Sequence, residues 1–244
     1  MFMTTRWTIV FQAAAEESGS GRPALSEIIQ KYWRPLYFYA RHRGLSAADA
    51  EDATQSFLAG FIEGKLLERA DPARGRFRTF LLTAWKRYLI DLHRHTSRER
   101  RGGLVSTLSI DTEQGERDWL LSSSENTDPD RVFLAGWASQ LVEETLRRLR
   151  AEYASSQRTT VFDTLCPYLS VPLNSDLYQE ISTKMAVTAG ACKVALHRLR
   201  QRFAQCLREV IEETVENPED VEEELNELFQ VLIENSILPG GSEV

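Results

Sequence analysis

Residues 77–101 combine an apolar stripe with a basic surface. The apolar side chains recur at steps of three and four residues, which predicts one long amphipathic helix. They are Phe77, Phe80, Leu81, Ala84, Trp85, Tyr88, Leu89 and Leu92. The polar side chains carry a positive charge or a hydroxyl group, with one carboxylate among them: Arg78, Thr79, Thr83, Lys86, Arg87, Asp91, Arg94, Arg98, Arg100 and Arg101. Such a surface suits the phosphates and bases of a nucleic acid.

The charge of this stretch is opposite in sign to that of the chain. Residues 69–101 contain ten Lys and Arg and three acids, a local charge of +7, whereas the whole chain carries −7. Binding to phosphates depends on the local cationic surface and not on the net charge. A solvated helix face is the alternative interpretation, because most charge runs are of that kind.

Length and composition limit the classes of protein to which the chain can belong. With 244 residues, the chain can form one large domain or two small ones, and we expect two. Cys166, Cys192 and Cys206 have no CxxC spacing, which predicts reduced core thiols rather than a disulfide frame or a zinc site. No apolar run reaches the roughly 18 residues of a membrane span, and the N-terminus lacks a signal-peptide pattern. We therefore expect a soluble cytoplasmic protein with no membrane partner.

Two helices are expected before the basic one. Apolar spacing predicts the first from Pro23 to about Arg43, with a kink at Pro35. Ser46 is expected to cap a second helix, Ala47–Glu63, whose outer face is acidic. Acids at a helix start are also favoured by the helix dipole, so stability alone could explain them.

The residue order in this region resembles region 2 of bacterial RNA polymerase sigma factors of the extracytoplasmic-function (ECF) group. The similar segments are DAEDATQSF (49–57), ADPARGRF (70–77) and FRTFLLTAWKRYLIDLHRH (77–95). The resemblance implies that an acidic helix docks on the β′ clamp helices of core RNA polymerase through Asp49, Asp52, Gln55 and Phe57. It also implies that the basic helix captures the melted minus-10 strand through Arg78, Thr79, Thr83, Lys86, Arg87, Asp91 and Arg94.

A second helical domain is expected at 128–208, after an acidic, poorly periodic linker at 102–127. Leu177, Tyr178, Ile181 and Met185 predict a short helix, and Thr188 is expected to cap the next one. Together they form a helix-turn-helix, whose second helix enters the major groove with its N-terminal end. The candidate DNA contacts are Thr188, Ala189, Gly190, Lys193, His197, Arg198, Arg200 and Arg202.

This segment resembles sigma region 4, which reads the minus-35 element. Three positions depart from that pattern: Ser182 stands at a small-residue position, Met185 replaces leucine, and Ala186 stands at the turn glycine. At a positive φ an alanine costs about 1 kcal/mol relative to glycine.

The C-terminal tail is acidic. Residues 209–244 hold twelve Asp or Glu and no Lys or Arg, so the rest of the chain carries +5. Asn217-Pro218 and the apolar spacing of Val221, Leu225, Leu228 or Phe229, and Leu232 predict a helix. This helix either packs on its own domain or covers a DNA-reading surface or docks on the polymerase.

The expected fold is all-α, with two small helical domains, a linker and an acidic helical tail. The expected segments are an N-terminal extension (1–22), a region 2-like domain (23–101), the linker (102–127), the helix-turn-helix domain (128–208) and the tail (209–244). No catalytic constellation, metal ligand set or cofactor motif is evident, so we expect no enzyme, metal or cofactor. The partners implied are core RNA polymerase (β′ clamp helices and β subunit) and promoter DNA, and an anti-sigma factor is a further option. The alternative is a helix-turn-helix repressor that does not bind polymerase.

Overall fold

The computed structural model describes residues 22–62, 76–96, 128–215 and 217–235. Within these ranges the chain forms helices and no strand, which confirms the all-α prediction. The α-helices are α1 (Arg22–His42), α2 (Ala47–Ile62), α3 (Phe77–Thr96), α4 (Pro129–Ser155), α5 (Thr159–Leu165), α6 (Ser175–Lys184), α7 (Ala189–Glu212) and α8 (Val221–Asn235). Short 3-10 turns lie at Cys166–Tyr168 and Pro218–Asp220. The predicted linker at 102–127 and the N-terminal residues 1–21 lie outside the described ranges.

The chain divides into two compact units. The described part of the first comprises 22–62, 76–96, 128–137 and 213–215, and that of the second comprises 138–212 and 217–235. The division falls inside α4, between Trp137 and Ala138. None of the helices in the described ranges combines the length and apolarity needed to cross a bilayer.

Capping residues set several helix boundaries. At the start of α2 the Ser46 hydroxyl donates to the Asp49 carboxylate at 2.6 Å, and the Asp49 N–H donates back to Ser46 Oγ at 3.1 Å. Asn174 accepts a hydrogen bond from the Leu177 N–H at 2.9 Å and so caps α6. The Thr188 hydroxyl accepts from the Ala191 N–H at 3.2 Å, as the sequence predicted for α7. These bonds satisfy N–H groups that lack a partner within the helix.

The first unit is built around Trp85. Its indole is fully buried, and Nε1 donates to the carbonyl oxygen of Leu36 in α1 at 3.1 Å. The Trp85 ring lies 4.9 Å from the ring of Phe57 and stacks on Tyr88 at 5.6 Å. Burial raises the pKa of the Tyr88 phenol, although a hydrogen bond with Ser56 acts in the opposite direction. This cluster joins α1, α2 and α3.

The first turns of α4 belong to this unit. Phe133 and Trp137 are buried there. Gly136 lies so close to α1 that a Cβ atom added to it would stand 3.1 Å from the Cα of Pro35. The absence of a side chain at this position therefore allows the two helices to approach each other closely.

The second unit has its own core. The buried side chains come from the rest of α4, from α5, α6 and α7, and from the turns between them: Leu149, Tyr153, Phe162, Leu165, Leu169, Ile181, Cys192, Leu196, Leu199 and Cys206. Cys192 and Cys206 are free thiols in this core, and burial raises the pKa of both. Because the Ile181 and Leu196 side chains share the core, α6 and α7 are held together as a pair.

The acidic tail packs on the same unit. Val221, Leu225, Leu228 and Leu232 are buried, whereas Phe229 is 41% exposed, so Leu228 and not Phe229 completes the apolar stripe. Arg208 of α7 pairs with Glu222 at 2.6 Å. Helix α8 thus docks on the C-terminal half of α7, and the DNA-reading candidates at the other end of α7 remain uncovered by it.

The turn between α6 and α7 is strained at Ala186. This residue has a φ of 53° and lies two positions after the end of α6, so it adopts the left-handed conformation that glycine favours. An L-residue in this conformation loses roughly 1–2 kcal/mol. The fold accepts the strain because the core contacts of α6 and α7 fix the turn from both sides.

We predict that Ala186→Gly stabilises the second unit by about 0.5–1 kcal/mol, since glycine removes the strain but is more flexible when unfolded. Urea unfolding followed by circular dichroism at 222 nm measures the change. Ala204→Gly is the matched control: Ala204 is an exposed helical residue of α7, and glycine there should lower stability by about 1 kcal/mol. Equal losses in both variants would contradict the assignment of strain.

Candidate nucleic-acid interfaces

One face of α3 presents the polar row predicted for melted DNA. Phe77, Leu81 and Trp85 are buried, and this fixes the rotation of the helix about its axis. The exposed positions then follow at steps of three or four residues: Thr79, Thr83, Arg87, Asp91 and Arg94. The Thr83 hydroxyl donates to the Thr79 carbonyl at 2.8 Å, and Arg94 and Asp91 approach each other at 3.7 Å. This ion pair is exposed and therefore weak.

Arg78 does not belong to the exposed row. Its side chain is buried, with only 5% of its surface exposed, and its guanidinium lies over the Trp137 ring at 4.5 Å from the ring centroid. A cation in this position stabilises the contact between α3 and the start of α4. We therefore assign Arg78 to the packing of the first unit.

Lys86 is half-buried and already paired. Its ammonium group lies 2.5 Å from the Asp130 carboxylate, in the first turn of α4. A phosphate at this position would have to compete with Asp130. Arg87, the next residue, is exposed and differs from Lys86 in this respect.

The four predicted polymerase contacts on α2 divide into two pairs. Asp49 and Asp52 are exposed. Gln55 is buried at 6% exposure and donates to Glu51 at 3.0 Å. Phe57 is 1% exposed and packs against Trp85. Only the two aspartates therefore offer a side chain to a partner.

The N-terminal half of α7 presents the predicted DNA-reading residues to solvent. Thr188, Gly190, Lys193, His197 and Arg198 are exposed, and Ala189 is half-buried. The ammonium group of Lys193 lies 5.1 Å from the centroid of the Tyr178 ring, which connects it to α6. A helix N-terminus with exposed cations and an adjacent glycine is suited to close approach by phosphates and base edges.

Arg200 and Arg202 are engaged within the protein. Arg200 donates to the carbonyl oxygens of Leu169 and Tyr168 at 2.9 Å and of Val171 at 2.6 Å. Arg202 forms ion pairs with Glu152 at 2.8 Å and with Glu209 at 2.9 Å. Neither guanidinium belongs to the exposed reading face. Arg200 connects α7 to the segment that leads into α6 and so fixes the position of α7.

A groove beside α7 includes Arg158, which the sequence pattern did not predict as a site residue. Its volume is about 380 Å³, and its lining includes Tyr153, Arg158, Val161, Gly190, Val194 and Arg198. The guanidinium of Arg158 lies over the Tyr153 ring at 5.1 Å. Arg158 is the residue just before α5, and no local signal in the sequence places it beside α7. Only the tertiary packing brings Arg158 and Arg198 to one groove.

Part of the first unit is similar to a known protein family. Residues 28–99 match the family model Sigma-70 region 2. The match covers less than half of the chain and includes α2 and α3 with both of their exposed rows. It supports a sigma-70 family factor, and a region 2 segment implies binding to core RNA polymerase and to DNA in promoter recognition. No curated protein and no solved structure matches the chain.

We predict that Arg200→Ala lowers the stability of the second unit by about 2–3 kcal/mol, because three carbonyl groups lose a charged donor. Arg198→Ala should change stability by no more than about 0.5 kcal/mol, since Arg198 is exposed. Urea midpoints of the two variants test this difference. A stable Arg200→Ala variant that no longer binds DNA would instead make Arg200 a DNA contact.

Proposed function

We propose that this protein is a sigma factor of the ECF group that binds core RNA polymerase and directs initiation at specific promoters. The observation that carries the proposal is the match of residues 28–99 to Sigma-70 region 2. In this proposal the first unit holds the melted minus-10 strand, the helix-turn-helix reads the minus-35 element, and residues 102–127 form a linker between α3 and α4.

The exposed row of α3 supports capture of a melted strand. Arg87 and Arg94 can neutralise phosphates, while the hydroxyl groups of Thr79 and Thr83 and the carboxylate of Asp91 can bond to base edges. Unstacked bases expose these edges and a single strand follows a cationic surface, whereas a closed duplex hides most of its base edges. Lys86 contributes only after it separates from Asp130.

The geometry of α6 and α7 supports reading of a duplex. The two helices share one core and meet at the turn of Ala186, and the N-terminal half of α7 carries the exposed reading face. A recognition helix uses this end in the major groove. In the proposed complex Lys193, His197 and Arg198 contact the minus-35 element, and Arg158 contacts a phosphate at its edge.

The exposed carboxylates of α2 support docking on polymerase. Asp52 lies on the solvent side of α2, opposite the buried Ala53, Phe57 and Phe61. The proposed partner surface is the β′ clamp helices, with additional contact to the β subunit. A docking surface built on carboxylates requires positive charge from the partner.

Run-off transcription with purified core polymerase tests the function. We expect the chain to direct promoter-specific transcripts and Asp52→Arg to lower polymerase binding roughly tenfold or more, because the new cation faces a basic partner surface. Polymerase pull-down and transcript yield measure the two effects, and circular dichroism confirms that the variant folds.

Glu219→Arg is the control for that experiment. Glu219 is exposed in the tail and undergoes the same change in charge, so it should bind and transcribe like the parent. A chain that binds promoter DNA but never supports initiation would be a repressor, and the sigma-factor proposal would be wrong. Equal binding by both variants would refute only the role of Asp52.

We further predict that Arg87→Ala weakens binding to a pre-melted promoter and lowers the slope of log K against log salt by about 0.7, the value for one phosphate contact on a single strand. Lys86→Ala is the comparison, and its effect should be smaller because Asp130 already neutralises Lys86. Polymerase complexes on fork-junction and duplex templates provide the measurement. A larger effect on duplex than on pre-melted DNA would exclude α3 from the melted strand.

A further inference from the structure

Exposed apolar side chains are few in the part of the chain that the structure describes. The large ones are Ile90, Val187, Val194, Phe229 and Ile233. Phe229 and Ile233 lie on the acidic tail, where nothing identifies a partner. Val194 differs from the others because it lies in the middle of the predicted reading face of α7.

The position of Val194 follows from the helical period. At 100° per residue, Val194 points away from the buried stripe that contains Cys192, Leu196 and Leu199. It is 50% exposed and has Gly190 one turn before it and Arg198 one turn after it. A Cβ atom at Gly190 would meet only Thr188 Oγ1, at 4.0 Å, so the space in front of Val194 is open on that side.

The chemistry of valine restricts what Val194 can contact in DNA. The residues around it can form hydrogen bonds or ion pairs, but its two methyl groups can neither donate nor accept. In the major groove every base pair offers hydrogen-bonding groups, and only thymine adds an apolar group, the C5 methyl. A half-exposed valine at the centre of such a face gains free energy by covering that methyl group.

We propose that Val194 is a specificity-determining residue that reads a thymine by contact with its C5 methyl group. The inference rests on the proposed function of the helix-turn-helix. The groove beside Val194 supports it, because Arg158 and Arg198 line the same groove and can hold the backbone while Val194 faces the bases. Val194 would then supply sequence preference, and the two arginines would supply affinity.

A chemical substitution in the DNA tests the contact directly. The full-length chain in complex with core polymerase first selects its upstream element from random duplexes. Each thymine of that element is then replaced in turn by deoxyuridine, which lacks only the methyl group. For the parent chain we expect about fourfold weaker binding at one position, the effect of exposing one methyl group.

Val194→Ser, which removes both methyl groups, should show no methyl preference at that position, and Val194→Thr, which keeps one methyl group, should retain part of it. Arg158→Ala is the reference variant. It should weaken binding to all elements alike and lower the salt slope by about 0.9, while it retains the preference for thymine. Val194 is exposed, so its replacement leaves the core unchanged.

The outcomes separate this inference from the function on which it rests. If the methyl preference is equal in the parent and in both Val194 variants, Val194 does not read thymine, although upstream binding stands. A selected element without a conserved thymine also overturns the inference. If the polymerase complex selects no upstream element at all, the assignment of the helix-turn-helix to promoter reading fails as well.

Discussion

The first unit depends on the burial of one indole N–H. Trp85 is too large and too apolar to remain outside, yet its Nε1 must keep a hydrogen-bond partner once it is buried. The carbonyl of Leu36 provides this partner at 3.1 Å, and the bond fixes how far α3 is rotated about its axis. That rotation turns Arg87 to solvent and places the Arg78 guanidinium over the Trp137 ring. The exposed polar row of α3 is thus a consequence of how its opposite face packs.

In the second unit the hydrogen-bonded guanidinium of Arg200 fixes the rotation of a helix, as the Trp85 indole does in the first. Arg200 bonds to three carbonyl groups of the segment that precedes α6, so α7 cannot rotate without losing all three bonds. The strained φ of Ala186 fits this picture. A turn that costs free energy persists only when the helices on both sides are fixed by other contacts, here the shared core and the Arg200 bonds.

Much of the helical structure could be predicted from the sequence, because period and capping are local signals. The starts of α2 and α7 and the apolar stripe of α3 belong to this class. The left-handed conformation of Ala186 does not, because neither period nor capping predicts it. The role of each arginine could not be predicted, since a guanidinium looks the same in a sequence whether it faces solvent, a ring or a carbonyl. Arg78, Arg200 and the pairing of Lys86 with Asp130 depend on contacts between distant segments. The burial of Gln55 could not be predicted either, because it depends on packing between helices and not on the polarity of the side chain.

Contacts within the folded chain determine where the positive charge of α7 is exposed. The stretch from Lys193 to Arg208 contains five cations and no acid, which predicts a uniformly basic helix. In the folded chain the cations of the C-terminal part are taken up by carbonyl or carboxylate groups: Arg200, Arg202 and Arg208. Lys193 and Arg198 remain exposed in the N-terminal half, where the helix dipole also favours an anion. The positive potential is therefore concentrated at the N-terminal end of α7, the end proposed to read DNA, and the acidic tail contributes to this by pairing with Arg208 at the other end.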